Sequence, residues 1–193
     1  MNASAVPLDH AAVADAAGCI RRGGIVAYPT EAVWGLGCDP DNGDALARLI
    51  RLKSRDPAKG LILIAGDIAQ LEGWLVGIST AQREQLLASW PGPFTWLVPD
   101  NGRAHPLLRG DHVSLAVRVS DHPLVQALCA ELDSPLVSTS ANRAGEAPAM
   151  SADEIRDAFG ASLADEVILD GPLGGNARPS TICDLVTGAV LRA

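Results

Sequence analysis

Residues 44–65 read DALARLIRLKSRDPAKGLILIA, and this stretch decides the fold. Its opening repeats apolar side chains at helical spacing. Leu46, Leu49 and Ile50 share one face, which predicts an amphipathic helix over 44–53. Asp56-Pro57 stands where that helix gives way. Leu61 to Ala65 is then an unbroken apolar run, the pattern of a strand covered on both faces.

The same alternation extends outward. Upstream, the Ala-rich segment 8–22 predicts a helix with Asp9 near its start and Gly23-Gly24 as its stop. Ile25 to Tyr28 predicts a short buried strand ended by Pro29. Downstream, helices are predicted over 67–75 and 79–89, the second with Ser79 and Gln82 in capping-box spacing. Phe94 to Val98 and Ser114 to Val119 read as strands, with Asp100 to Asp111 as a loop between them. A helix is expected from Asp121-His122-Pro123 to about Leu132, with Asp121 as N-cap and proline in the first turn. Leu136 to Thr139 reads as a strand. Ser151 with Glu154 forms another capping box before a helix to Phe159, and strands near 167–169, 181–186 and 189–191 finish the chain. Strands and helices alternate early and strands cluster late, so the expected fold is α/β, a twisted mixed sheet with flanking helices. No Pro/Gly/Ser linker divides residues 1–193, which predicts a single domain.

Composition sets the outer bounds. The chain has 193 residues, 48% hydrophobic and 20% charged, enough to bury a core. A disordered tail, a collagen-like fibre and a disulfide-stapled mini-protein are excluded. The net charge of −8 argues against non-specific binding along a nucleic-acid backbone. Cys19, Cys38, Cys129 and Cys183 lie far apart in apolar surroundings with no C-x-x-C, which predicts free thiols in a reducing compartment. Met1 to Gly18 has no basic n-region, and Asp9 and Asp15 interrupt any apolar h-region, so no signal peptide is expected. No apolar run approaches the roughly 20 residues of a membrane span. A soluble, cytoplasmic protein without membrane partners is the expectation.

Familiar chemical signatures are missing. There is no phosphate-binding P-loop. Gly35-Leu36-Gly37 begins like a dinucleotide fingerprint but runs into Pro40-Asp41. There is no G-x-S-x-G elbow. His10, His105, His112 and His122 are scattered, and no metal site is expected.

Five constellations stand out instead. Arg48, Arg51, Lys53, Arg55 and Lys59 surround one acid, Asp56, for a local net of +4 in a chain of net −8. A solvated helix face accounts for Arg48 and Arg51, and cations near a helix C-terminus also suit its dipole. Yet the chain has thirteen arginines and two lysines, and both lysines fall in this segment. An ammonium beside a guanidinium suits a polyphosphate. Ser138-Thr139-Ser140-Ala141-Asn142 places hydroxyls and an amide after an apolar strand, where α/β sheets bind ligands, although such residues also make ordinary turns. Tyr28-Pro29-Thr30-Glu31 also follows a strand, and Arg178-Pro179-Ser180-Thr181 precedes one. Arg118 interrupts an apolar strand and must be paired or face a ligand.

These motifs together resemble the threonylcarbamoyl-AMP synthase family, also called TsaC, YrdC or RimN, in its short bacterial form. The resemblance covers nearly the whole chain. It includes Tyr28 to Glu31, Gly35 to Pro40, Lys53-Ser54-Arg55, Lys59 to Ile64, Trp90 to Pro93, Ala116 to Pro123, Ser138 to Asn142 and Pro179 to Thr181. It implies a YrdC-like fold around a concave, positively charged cavity. It also implies synthesis of L-threonylcarbamoyl-adenylate from L-threonine, bicarbonate and ATP with release of pyrophosphate, a nucleotidyltransferase reaction that serves tRNA threonylcarbamoyladenosine.

The family's K-x-R…S-x-N tetrad falls on Lys53, Arg55, Ser140 and Asn142, implied as catalytic. Thr30, Arg118, Ser138 and Ser180 match threonine contacts. Arg55, Lys59, Ser114, Ser140 and Arg192 match ATP contacts, with Pro148 at the nucleotide end. Relatives with a His or Asn at position 59 differ from this chain, and Arg143-Ala144-Gly145 replaces a common Leu-Ser-Gly. Mg²⁺ is expected with ATP as substrate, and the partners implied downstream are the proteins that transfer threonylcarbamoyl to tRNA. Two other readings are a carbamoyl-transfer domain of the hydrogenase-maturation type and an RNA-binding or ribosome-maturation module. The acidic balance outside residues 48–59 leaves room only for weak RNA binding.

Overall fold

Asp9 starts the first helix by accepting hydrogen bonds from the N–H groups of Ala11 and Ala12. In the computed structural model, which describes residues 8–163, 166–176 and 178–192, this helix is α1, His10–Arg21. Gly23 takes a positive φ of 82° just past its end, the usual glycine stop. The expectations for residues 1–7 lie outside the described residues.

The quoted stretch folds as expected. Asn42 caps α2, Gly43–Leu52, and Ala45, Leu46, Leu49 and Ile50 are its buried face. A turn of 3-10 helix at Pro57–Lys59 leads into strand β3, Ile62–Ala65. The remaining strands are β1 (Val26–Pro29), β2 (Trp34–Gly37), β4 (Phe94–Pro99), β5 (Ser114–Val119), β6 (Leu136–Ser140), β7 (Val167–Ile168), β8 (Thr181–Asp184) and β9 (Val190–Arg192). The remaining helices are α3 (Thr80–Leu87), α4 (Pro106–Arg109), α5 (Pro123–Leu132) and α6 (Ala152–Phe159).

Among the described residues the strands form one mixed sheet of nine, in the order β7-β1-β2-β6-β3-β5-β4-β8-β9. Pairs β1/β7, β3/β5 and β4/β8 are parallel and the others antiparallel. Side chains alternate across the sheet. Leu63, Leu115, Val117, Trp96, Val98 and Val137 point to one face and pack with Leu46 and Leu49 of α2, Leu86 of α3 and Ile155 and Phe159 of α6. Val26, Tyr28, Ile64 and Leu136 point to the other, where α1 and α5 supply Val13, Ala17, Ile20, Val125 and Leu128.

Several local expectations need correction. The helix expected over 67–75 is a 3-10 turn, Ile68–Leu71. An Asp67–Gln70 capping box opens it, but the chain then runs through turns past Gly73. The cap of α5 is His122 rather than Asp121, because Pro123 itself occupies the first helical position. Ser151 caps α6 through the N–H of Glu154, but the Glu154 carboxylate bonds the N–H of Met150, so the box is only half made. The loop expected over 100–111 contains α4. Trp34 to Gly37 is a strand that glycine content concealed: a Cβ on Gly37 would lie 2.4 Å from the Val137 carbonyl oxygen, so β2 needs the bare backbone to fit beside β6.

Candidate active site

Strand β5 carries the site in its alternation. Leu115, Val117 and Val119 are core, while Ser114, Ala116 and Arg118 face a cavity of about 550 Å³. Ile62 and Ile64 of β3 pair in register with Ala116 and Arg118, and Ser138 of β6 pairs with Ile62. The floor is therefore one sheet face spanning Ser138 and Ser140, Ile62 and Ile64, then Ser114, Ala116 and Arg118, with Leu97 and Ile182 beyond. Helices α1 and α5 cover only part of this face. The volume is typical of a small-molecule site.

Five cationic side chains line the cavity: Arg55, Lys59, Arg109, Arg118 and Arg192. Among the described residues, no carboxylate lines it. Arg55 is braced by its Nε–H, which donates to the Gly60 carbonyl at 3.0 Å. Burial, partly offset by Asp56, lowers its pKa. Arg192 donates to the Ser180 carbonyl at 2.8 and 3.2 Å, and the Ser180 hydroxyl shares a 2.7 Å hydrogen bond with that of Thr95. The Thr30 hydroxyl donates to the Val33 carbonyl at 2.7 Å, folding the residues after β1 over the cavity edge. Pro148 also lines the cavity.

Arg118 is 8% exposed and held from behind. Its Nε–H donates to the Gly92 carbonyl at 3.1 Å, and one terminal nitrogen lies 2.6 Å from Glu31 Oε1. That nitrogen has no well-aligned hydrogen-bond partner, so the fork keeps donor capacity. Glu31 Oε1 also accepts from the Ser120 hydroxyl at 2.6 Å. Burial works against the Glu31 carboxylate, but Arg118 and Ser120 outweigh it and hold its pKa below the ordinary value. Asp121 is pushed the other way, by burial and then by Glu31.

Two residues of the sequence-derived tetrad are outside the lining. Lys53 is 3% exposed and lies behind the wall. Its ammonium donates to the carbonyls of Ser140 and of Asn142, the latter at 2.7 Å. The Lys53 carbonyl in turn accepts from the Ala144 N–H at 2.9 Å. Burial, then the neighbouring Arg55, lowers its pKa to about 8. Asn142 accepts from the Ser140 hydroxyl at 2.6 Å and donates to the Arg143 and Glu146 carbonyls. Lysine and asparagine thus fasten the turn that presents Ser140. Thr30, Arg55, Lys59, Ser114, Arg118, Ser138, Ser140, Ser180 and Arg192 are all brought into the lining.

Sequence reasoning missed Arg109, in the segment read as a loop, and His112 just after it, both of which line the cavity. The signal available was a pair of glycines, Gly60 and Gly110. Both take positive φ, 57° and 68°. A Cβ on either would strike the backbone of the other's segment, at Arg109 O (2.5 Å) and Ala58 O (2.4 Å). The described residues contain no group of three or more His, Cys, Asp or Glu placed to hold a metal ion.

The family described as telomere recombination, Sua5/YciO/YrdC, matches residues 18–193. A threonylcarbamoyl-AMP synthase of Chromohalobacter salexigens is 69% identical over 180 residues, covering 93% of this chain and 96% of that relative. One of Stenotrophomonas maltophilia is 51% identical over 176 residues, 90% and 94% of the two chains. Among solved structures, P. abyssi Sua5 complexed with L-threonine superposes with a TM-score of 0.86 at 29% identity over 96% of this chain, which spans 54% of that longer one. E. coli YciO superposes at 0.81 with 24% identity, covering 96% of this chain and 90% of that one. No helix of the described residues is long and apolar enough to cross a membrane.

Proposed function

The chain belongs to the Sua5/YciO/YrdC family, and we propose that it synthesises L-threonylcarbamoyl-adenylate from L-threonine, bicarbonate and ATP. The observation that carries this reading is a nucleotide-sized cavity that, among the described residues, is lined by five cations and a row of hydroxyls and by no carboxylate. The reactants are all anions or zwitterions, and their assembly demands neutralisation.

The threonine amine condenses with bicarbonate to a carbamate, releasing water. A carbamate oxygen bonds to the α-phosphorus of ATP, the bond from that phosphorus to the bridging oxygen breaks, and pyrophosphate leaves. The protein's work is positioning and charge stabilisation. In this proposal Arg118 takes the threonine carboxylate, fixed in place by Glu31, while Thr30, Ser138 and Ser180 read its other polar groups. Arg55, Lys59, Ser114, Ser140 and Arg192 hold ATP. Two charges 4 Å apart interact by about 4 kcal/mol at an effective dielectric near 20, so converging cations weigh heavily. Lys53 and Asn142 act through the turn they fasten, rather than on phosphate directly. Mg²⁺ enters as part of the Mg–ATP substrate.

The product would serve tRNA modification in the cytoplasm through separate transfer proteins. Direct RNA binding is the weaker reading, because the acidic balance of the chain opposes it. The test is incubation with ¹⁴C-bicarbonate, ATP and threonine. Label should appear in a species that contains AMP and threonine. Absence of such a species while ATP is bound would refute the reaction.

A further inference from the structure

We propose that Arg109 and His112 form the pyrophosphate-holding wall of the cavity, which takes the β- and γ-phosphates of ATP and then the leaving group. The inference deepens the proposed function and rests on it, since it names which residues face which part of the nucleotide.

The geometry divides the cavity into two ends. Ser114 and Arg118 lie on the same face of β5, four residues apart, which separates them by about 13 Å. The Arg118 end has Thr30 and Ser180, hydroxyls suited to an amino acid. At the Ser114 end the lining residues just before it in the chain are Arg109 and His112, and the hydrogen bond from the Asp111 N–H to the Ala58 carbonyl brings the segment of Lys59 alongside. Two segments far apart in sequence are locked there by their backbones. The Leu61 N–H donates to the Leu108 carbonyl at 2.8 Å, and the Asp111 N–H to the Ala58 carbonyl at 3.0 Å. The Gly60–Gly110 contact leaves no room for a side chain between them. The lock holds Arg55 and Lys59 on one segment beside Arg109 and His112 on the other.

Arg109 has donor capacity to spare. Its Nε is buried and lacks a hydrogen-bond partner. It lies 3.6 Å from Asp100 Oδ2, the oxygen of that carboxylate left free by the N–H groups of Gly102 and Ala104, so Nε faces this ion pair while the two terminal nitrogens donate to no described residue. A guanidinium with two uncommitted terminal nitrogens, next to a lysine, an arginine and an imidazole, matches the charge density of a diphosphate. Adenine has none of that charge and gains nothing from such a wall. Forked donors bind phosphate oxygens in pairs, which Lys59 as a point charge cannot do.

The test is calorimetric titration of the full chain with sodium pyrophosphate, ATP and AMP, for wild type, Arg109→Gln and His112→Gln. Arg109→Gln should weaken pyrophosphate and ATP by about 10- to 100-fold, as expected for a lost charge-assisted contact. AMP affinity should stay within about twofold, which also shows that the variant folds. His112→Gln should weaken pyrophosphate by a smaller factor and leave AMP alone. Equal pyrophosphate affinity in wild type and Arg109→Gln overturns the inference while ATP binding by the wild type leaves the functional reading standing. So does a loss of AMP affinity as large as that for pyrophosphate. A wild-type chain that binds none of the three overturns the functional reading itself.

Discussion

Replacing Lys53 separates a buried fastener from a phosphate ligand. In Lys53→Met the turn at 140–142 loses two hydrogen bonds from an ammonium, each worth about 1.5–3 kcal/mol. Against that stands the burden of the buried charge. A pKa lowered from 10.5 to about 8 corresponds to roughly 3 kcal/mol against the charged form. The two effects largely offset, so global stability should fall by only about 0–3 kcal/mol. Activity should fall much further. Ser140 and Asn142 sit on the turn that Lys53 ties, and a misplacement of about 1 Å near reacting groups is worth about 100-fold. The decisive variant is Lys53→Arg, which keeps the charge. A guanidinium overfills a site where lysine is 3% exposed, and overpacking costs about 1–3 kcal/mol. Both variants should therefore show kcat/KM for ATP reduced by about 100-fold or more, while both still unfold cooperatively in urea with stability lowered by no more than about 3 kcal/mol. If Lys53→Arg turns over ATP at nearly the wild-type rate, charge at this position is what matters and the fastening argument is wrong.

The same lysine sets a pH dependence. Between pH 8 and 10.5 the unfolded chain keeps a proton that folded Lys53 has released, so this group makes stability rise with pH across that window. Below pH 8 both states are protonated and the contribution is flat. The gap in urea midpoint between wild type and Lys53→Met, measured from pH 7 to 10, should be constant below about pH 8 and widen in favour of wild type above it. Arg118→Met strands Glu31, which is 4% exposed, and should lower stability by about 3–5 kcal/mol. Adding Glu31→Gln should recover part of that loss in urea unfolding, while the KM for threonine stays raised by about 10-fold or more. Gly37→Ala forces a Cβ into the Val137 carbonyl and should destabilise by about 3 kcal/mol or more, seen as a lower thermal midpoint.

Periodicity made much of the architecture legible. The helix–strand unit at 44–65 and the alternation in β5 both depend on side-chain burial, which sequence pattern records directly. Strand β2 escaped because Gly35 and Gly37 carry no apolar side chain to alternate, and its pairing is dictated by close backbone approach. Helix α4 escaped because four residues are too few for a period. The lining residues Thr30, Ser138 and Ser180 were legible because polar groups at the ends of apolar strands stand out, and Arg118 because it interrupts one. Arg109 and His112 were not, since their place depends on a glycine contact between segments about fifty residues apart in sequence. Lys53 drew attention as part of a charge run, but a charge run says nothing of which member is turned inward.

The cations also explain how an acidic chain can take an anionic substrate. Residues 48–59 carry +4 against a total of −8. Arg55 and Lys59 of that segment reach the cavity, while Arg48 pairs with Glu166 and Lys53 is buried. Arg109, Arg118 and Arg192 come from elsewhere in the chain to join them.

The most direct measurement of the central claim is pyrophosphate release from ATP by the purified chain, with threonine and bicarbonate supplied together and each omitted in turn. The account predicts release that requires both, and that nearly vanishes when either is absent. Release at the same rate without threonine or without bicarbonate would contradict it.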